Sequence, residues 1–209
     1  MTDAARLQWN LFEEDVSLPA AVLYADRIEH NLKWMQDFVG EYGVKLAPYG
    51  NTTMAPQLFH RQLEAKAARG GITLATAHQV RAAYRDGVHR VLMANQLVGK
   101  RNMGMIAELL NDPNFEFFCL VDSADGVEQL GAFFSDVRKK LNVLIELGGP
   151  GGRTGVRDDA QRDAVLAAIA RWNGTIELAG IELYEGVLQD EAKVREFLKR
   201  KAPSIRREC

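Results

Sequence analysis

The chain has 209 residues, of which 47% are hydrophobic and 26% are charged, and its formal net charge is −2. This length supports one good-sized core, or one domain with part of another. Lysine and arginine are scattered between acidic residues, which argues against nucleic-acid binding and against a charged disordered tail.

The apolar runs are too short for a membrane span, which needs about 18 or more apolar residues. The N-terminus opens with polar and charged residues, which argues against a signal peptide. Cys119 lies in an apolar run and is expected to be a buried thiol, whereas Cys209 ends the chain. A reduced, cytoplasmic protein is the expectation from this cysteine usage.

Strands and helices alternate along the chain after a polar leader. The leader is followed by a predicted strand at 20–24 and by a helix, capped by Asp26, that ends at Gly43. Further strands are predicted at 71–76, 90–95, 115–122, 141–147 and 176–184. A helix is predicted after each of them: at 77–86, after 95 to about 111, from 123 or 125 to 140, at 158–172 and at 191–201.

The stretch 45–56 stands between the first helix and these later units. An apolar strand beginning at Lys45 breaks at Pro48 and Gly50, and an amphipathic helix then runs to about residue 68. This order of strand, sharp turn and helix predicts polar side chains at the carboxyl end of a strand, where α/β proteins bind ligands. The side chains concerned are Tyr49, Asn51, Thr52 and Thr53.

Seven strand–helix units in strict alternation imply a parallel sheet covered by helices. Such a sheet is either doubly wound and open or closed into a (β/α)₈ barrel. No Gly-x-Gly-x-x-Gly follows the first predicted strand, which weakens the dinucleotide-binding alternative. The even spacing favours the barrel, although the count of strands stops short of eight.

Residues 48–56 resemble the signature of the alanine racemase-like, pyridoxal-phosphate (PLP)-dependent family. The most similar branch contains D-threonine aldolase, D-serine dehydratase and related amino acid deaminases, which read approximately Pro-His-x-Lys-Thr-Thr-Met-x-Pro here. The chain matches at Pro48, Gly50, Thr52, Thr53, Met54 and Pro56. It departs from the pattern at Tyr49, which replaces the histidine, and at Asn51, which replaces the lysine.

The resemblance implies an incomplete TIM-type (β/α) barrel. The first strand and helix would form a leader over 1–43, and a partial barrel domain with about six of eight strands would cover 44–201. The basic tail 202–209 matches no family pattern and reads as a truncated or frameshifted end. The last two barrel strands and a C-terminal β-domain of the family would be missing.

The resemblance also implies the site residues. The family lysine carries PLP as a Schiff base, and an amide at Asn51 cannot replace that amine, so covalent attachment is not expected. Tyr49 and Thr52 would contact the cofactor, and Arg153 would lie beside its ring because Arg153-Thr-Gly-Val156 matches Gly-x-x-Arg-x-Gly-Val. Tyr184 opens a Tyr-Glu-Gly sequence like that of the family and would pack against the same ring.

Plainer interpretations stand beside these roles. Asn51 is equally typical of a turn, the glycine-rich segment 148–155 of a flexible connector or an anion cradle, and Tyr184 of a core cover. Thr76 and Asp122 are expected to be helix N-caps, and the role of Asn95 is left open.

Other polar residues give no further site. Lys45 and Lys66 are not expected to substitute for the missing lysine. The histidines and cysteines lack metal-ligand spacing, so no metal site is predicted. Glu146 and Glu182 are expected to face a polar barrel interior without catalytic work.

Three hypotheses follow. The first is a truncated or degenerate member of a PLP-dependent lyase, aldolase or deaminase lineage acting on small D-amino acids, inactive as it stands. The second is a non-enzymatic PLP carrier, and the third is a binding or assembly module whose open sheet edges pair with another chain. A homodimer or a completing chain would be the partner, with no nucleic acid and no membrane.

Overall fold

The computed structural model describes residues 9–65, 70–149, 151–188 and 190–201. A 3₁₀ turn at Leu11–Glu13 precedes the helix α1 (Ala25–Glu41) and the short helix α2 (Pro56–Glu64). Strands and helices then alternate in the order β1 (Ile72–Leu74), α3 (Ala77–Arg85), β2 (Arg90–Gln96), α4 (Lys100–Leu109), β3 (Glu116–Val121), α5 (Ala124–Asp136), β4 (Leu141–Leu147), α6 (Asp159–Arg171), β5 (Ile176–Leu183) and α7 (Glu191–Lys201).

The five strands form one parallel sheet in the order β1-β2-β3-β4-β5. Neighbours in the sheet are neighbours in the chain, with no reversal of strand order. A doubly wound sheet reverses at a switch point, whereas barrel strands follow chain order. The predicted fold class, an incomplete barrel of the α/β type, is confirmed.

The core lies between the sheet and the helices that follow each strand. β3 and β4 lie inside the sheet, and Phe117, Leu141 and Ile145 on them are fully buried. Phe134 of α5 is also fully buried. Strands that bury both faces read as apolar runs, which is why the periodicity located β2 to β5 within a few residues.

The predicted strand at 20–24 is wrong, because no strand forms there. Val22, Leu23 and Tyr24 are 48%, 64% and 70% exposed. A strand needs a neighbour for its N–H and C=O groups, and none of the described strands lies beside this segment. The apolar composition of this segment predicts a strand, but no strand in the described part of the chain pairs with it.

The predicted strand from Lys45 is reduced to a single bridge. Tyr49 pairs in parallel with Thr73, where the Thr73 N–H donates to Pro48 O and the Gly50 N–H donates to Thr73 O, both at 2.8 Å. Proline has no N–H to donate, so the ladder cannot extend through Pro48. The count of six barrel strands is thus corrected to five strands and one bridge.

Two helix boundaries also differ from the prediction. The N-cap of α1 is Tyr24, without a side-chain bond, and Asp26 lies in the first turn rather than at the cap. There its carboxylate still favours the positive end of the helix dipole. α2 ends at Glu64, and the predicted continuation to residue 68, like the tail 202–209, lies outside the described residues.

Within the described ranges, none of the helices combines the length and hydrophobicity that crossing a bilayer requires.

Candidate functional site

A cavity of about 390 Å³ opens at the carboxyl ends of the parallel strands. This is the end at which barrel enzymes and open α/β sheets bind ligands, and the volume suits a small molecule. Every strand contributes to its wall, through Leu74, Ala75, Ala94, Asn95, Leu120, Glu146, Leu147 and Glu182. The turns after the strands add Tyr49, Asn51, Gly148, Gly149, Gly152, Arg153, Thr154, Tyr184 and Val187.

Asn51 reaches this wall from a turn that follows the Tyr49–Thr73 bridge. Its backbone carbonyl accepts a bond from Gln79 Nε2 at 3.4 Å. Its side-chain Oδ1 is buried and has no hydrogen-bond partner. The turn is closed by Met54 N–H donating to Gly50 O, and the left-handed residue is Met54 rather than Asn51.

The glycine-rich loop after β4 folds back on its own strand. Val156 forms a parallel bridge with Leu147, and the Gly148 N–H donates to Val156 O at 3.0 Å. Gly155 has φ +96°, and a Cβ there would collide with the backbone of Gly148, so the position needs glycine. Arg157 holds the loop by donating to Gly149 O and Gly152 O at 2.8 and 2.6 Å.

The backbone amides of this loop are largely used inside the protein. Gly148 donates to Val156 O, Gly152 to Gly149 O, and Gly155 to Asp122 Oδ2 at 2.9 Å. An anion cradle needs such amides to converge on the ligand. Three of the loop amides that could bind an anion are therefore already used, which weakens the expectation that the loop binds an anion.

The expectation that Asp122 caps a helix is wrong. Ser123 caps α5 by accepting from Gly126 N–H, while the Asp122 carboxylate holds the loop at Gly155. Thr76 does cap α3, accepting from Gln79 N–H, as predicted.

Glu146 is a buried carboxylate at the end of β4, with 6% of its surface exposed. Its Oε2 accepts from Gln96 Nε2 at 2.7 Å and its Oε1 accepts from the Thr154 hydroxyl at 2.5 Å. Both oxygens therefore have a neutral donor. Neutral donors stabilise a buried carboxylate but leave its negative charge without a counter-ion.

Glu182 faces the same cavity from the end of β5. Its pKa is raised to about 7, first by burial and then by the neighbouring carboxylates Glu146 and Glu185. Its Oε2 is buried and has no hydrogen-bond partner. Glutamates with pKa values near neutrality concentrate at functional sites, so Glu182 marks the cavity as a candidate site.

Two tyrosines stand at the mouth. Tyr49 is 60% exposed and Tyr184 is 56% exposed. Partial burial raises the pKa of Tyr49, and the charges of Glu182 and Glu185 add to that effect while Arg153 opposes it. The exposed tyrosines do not act as covers of the apolar core.

Arg153 is held at the edge of the cavity by one side-chain bond, from its Nη2 to Asn95 Oδ1 at 2.9 Å. Asn95 in turn donates from Nδ2 to Ala75 O at 2.9 Å. The role of Asn95, open at the sequence level, is thus to connect the end of β1 with Arg153.

The structure brings four of the five predicted site residues to one cavity, namely Tyr49, Asn51, Arg153 and Tyr184. Thr52 is exposed and does not line it, so its cofactor contact stays a prediction. Sequence reasoning gave no role to Glu146 and Glu182. The signal that points to them is an acidic residue near the carboxyl end of an otherwise apolar strand.

No lysine is among the described residues that line the cavity. No group of three or more histidine, cysteine, aspartate or glutamate side chains within the described ranges is arranged to hold a metal ion. The single cation of the lining is Arg153 as far as the described residues show.

The chain is similar to curated enzymes over most of its length. It is 29% identical over 174 residues to a D-threonine aldolase from Arthrobacter sp., matching 83% of this chain and 45% of that enzyme. It is 28% identical over 170 residues to a D-threo-3-hydroxyaspartate dehydratase from Delftia sp., matching 80% and 43%. The resemblance read from the sequence is confirmed. No family model matches the chain.

Solved structures agree with these relatives. The D-threonine aldolase from Filomicrobium marinum superposes with a TM-score of 0.75 at 27% identity, covering 83% of this chain and 45% of that one. An alanine racemase from Bacillus anthracis superposes with a TM-score of 0.66 at 15% identity, covering 87% of this chain and 49% of the racemase chain. The second similarity shows the shared fold alone. The chain spans about half the length of the proteins it matches.

Proposed function

We propose that this chain descends from PLP-dependent lyases, aldolases or deaminases of D-amino acids and does not catalyse their reaction as it stands. The observation that carries the proposal is Asn51 in the cavity wall, at the position of the family lysine, with no lysine among the described lining residues. The homology to D-threonine aldolase and to the dehydratase supports the descent.

The residues present do not fit a covalently bound PLP. A Schiff base needs a nucleophilic amine, whereas an amide nitrogen gives its lone pair to its own carbonyl. The phosphate of PLP needs cations or convergent amides, and three amides of the glycine loop are already engaged. Glu146 and Glu182 add carboxylates to the wall of the same cavity, which disfavours an anion there.

Substrate and setting follow the same lineage as part of the proposal. A small D-amino acid is the substrate class of the ancestral site, and the cytoplasm is the compartment. A homodimer or a completing chain is the partner. The names of the relatives differ between aldolase and dehydratase, so the ancestral reaction is proposed only as a lyase reaction.

The test is PLP titration followed by borohydride trapping and peptide mapping. It compares the native chain with Asn51→Lys, and with Thr53→Lys as a matched control because Thr53 is exposed in the same turn. We expect the native chain and the Thr53→Lys variant to show only the scattered labelling that surface lysines give. Trapping of about one PLP per chain at a single native lysine would overturn the proposal.

The Asn51→Lys variant then shows whether the cavity can still bind PLP when the lysine is restored. If this variant alone traps PLP at residue 51, one substitution silenced a cavity that otherwise suits the cofactor. If it also fails, the cavity has diverged beyond the missing amine. In both cases the native chain lacks the covalent cofactor.

An assembly module is a second candidate, and a specific surface favours it. Trp34 and Phe38 on α1 stack with ring centroids 5.4 Å apart, and Tyr42 at its C-cap lies tilted against Phe38 at 4.8 Å. The three rings are 57%, 42% and 64% exposed. Contiguous exposed apolar surface of this kind marks interaction sites. Cofactor absorbance separates a PLP-binding protein from a module of this kind, and turnover separates an enzyme from a carrier.

A further inference from the structure

The wall of the cavity carries hydrogen-bond acceptors that nothing satisfies. Among the described residues, three buried side-chain oxygens lack a partner, and two of them, Asn51 Oδ1 and Glu182 Oε2, belong to residues that line this one cavity. A buried acceptor without a donor destabilises the protein. Because both atoms are buried, a ligand that brings donors satisfies them once these two side chains turn toward the cavity.

The charges of the wall point the same way. Glu146 and Glu182 are both carboxylates, and the two donors on Glu146 are neutral side chains. The one lining cation, among the described residues, is Arg153, which already donates to Asn95. The wall therefore has an excess of acceptors and of negative charge, the opposite of what a phosphate or carboxylate ligand needs.

We infer that this cavity binds a small primary ammonium ion, with its N–H groups directed to the side chains of Glu182 and Asn51. A primary ammonium offers three donors and no acceptor, so it matches what the wall lacks. The inference rests on the proposed function, because a PLP held at residue 51 would fill the same space.

The rest of the cavity selects the shape of the ligand. Leu74, Leu120 and Leu147 give it an apolar floor on which a short alkyl chain can lie. The exposed rings of Tyr49 and Tyr184 at the mouth add a cation–π contribution during entry. A quaternary ammonium of similar size has the charge but no N–H, so it leaves the buried oxygens unsatisfied and binds more weakly.

The test is isothermal titration calorimetry at about pH 8, where a carboxyl with a pKa near 7 is mostly ionised. The probe is n-butylammonium chloride, compared with tetramethylammonium chloride, n-butanol and sodium butyrate. We expect binding of n-butylammonium that exceeds the other three by about tenfold or more, the difference that one charge-assisted hydrogen bond produces.

Variants identify the groups responsible. Glu182→Gln keeps the shape and removes the charge, and we expect it to weaken n-butylammonium binding about tenfold or more. Asn51→Leu removes the free acceptor and is expected to weaken it several-fold. Glu177→Gln is the matched control, because Glu177 lies at the opposite end of β5, outside this cavity, and is exposed. Circular dichroism and thermal unfolding establish that each variant is folded.

The inference is overturned if n-butanol or butyrate binds as tightly as n-butylammonium, or if folded Glu182→Gln binds like the native chain. Its failure is distinguishable from failure of the proposed function. A native chain that traps no PLP and binds no amine contradicts only the ammonium site, whereas stoichiometric PLP trapping contradicts the proposed function itself.

Discussion

At the scale of single residues, the cavity depends on where each charge is placed. Glu146 and Glu182 end neighbouring strands and pair in register across β4 and β5. Glu146 is buried with two neutral donors, whereas Glu182 has a buried oxygen without any. The two carboxylates therefore differ in how far the protein satisfies their oxygens.

Glu182 is therefore expected to titrate near neutrality. Its pKa is raised from 4.5 to about 7, first by burial and then by Glu146 and Glu185, with Tyr49 and Arg153 also facing the site. We predict that Glu146→Gln lowers the pKa of Glu182, because it removes a neighbouring negative charge while keeping the shape. Carbon-13 NMR of the labelled Glu182 carboxyl measures this, and an unshifted titration in Glu146→Gln would contradict the charge coupling.

The same shift predicts how stability depends on pH. Between pH 4.5 and about 7 the folded protein binds more protons at residue 182 than the unfolded chain does, so its free energy of unfolding falls as pH rises. The stabilisation is complete below pH 4.5 and lost above about 7. Glu182→Gln should flatten this part of the profile in chemical denaturation, whereas Glu177→Gln should leave it unchanged.

At the scale of elements, the loop after β4 sets the position of Arg153 and Thr154. Gly155 and Gly174 have nearly the same φ, +96° and +94°. A Cβ at Gly155 would strike the backbone of Gly148, whereas a Cβ at Gly174 meets nothing within 4 Å. Comparing alanine substitutions at the two positions therefore distinguishes the cost of the collision from the cost of conformational strain.

We predict that Gly174→Ala costs about 1–2 kcal/mol, the strain of a left-handed alanine. Gly155→Ala should cost that amount plus at least about 1 kcal/mol more, because the loop must shift to relieve the collision. Thermal unfolding of both variants measures the difference. Equal losses would mean that the loop moves freely and does not fix the cavity wall.

The elements also show how far the sequence alone reaches. The apolar runs located β2 to β5, and the polar residue after β1 located the N-cap Thr76, because buried parallel strands and capped helices carry local signals. The segment at 20–24 has the same local signal but no neighbour, so periodicity misread it. Strand pairing depends on neighbours elsewhere in the sheet, so the sequence of five residues does not determine it.

The candidate site was predictable to a similar extent. Tyr49, Asn51, Arg153 and Tyr184 were found by their resemblance to a family motif and do line one cavity. Glu146 and Glu182 were named but given no role, because burial and unsatisfied oxygens depend on contacts between strands. Asp122 was misassigned for the same reason, since its partner Gly155 is distant in the chain.

At the scale of the whole molecule, the sheet and α1 leave apolar surface uncovered. Val39 is the one buried residue of the 17-residue helix α1. β5 pairs with β4 on one side and, within the described residues, with no strand on the other. An open strand edge and, separately, the exposed aromatic rings on α1 each favour association with another copy of the chain.

We predict that the chain self-associates at micromolar concentration and that Trp34→Gln combined with Phe38→Gln shifts it toward monomer. Both rings are half exposed on α1, so glutamine removes apolar surface at little cost to the core. Phe12→Gln is the matched control, because Phe12 is 93% exposed outside α1. Sedimentation velocity over a dilution series measures the distribution of species. A native chain that stays monomeric and unfolds in one sharp cooperative transition would contradict the prediction, since the uncovered surface would then need no partner.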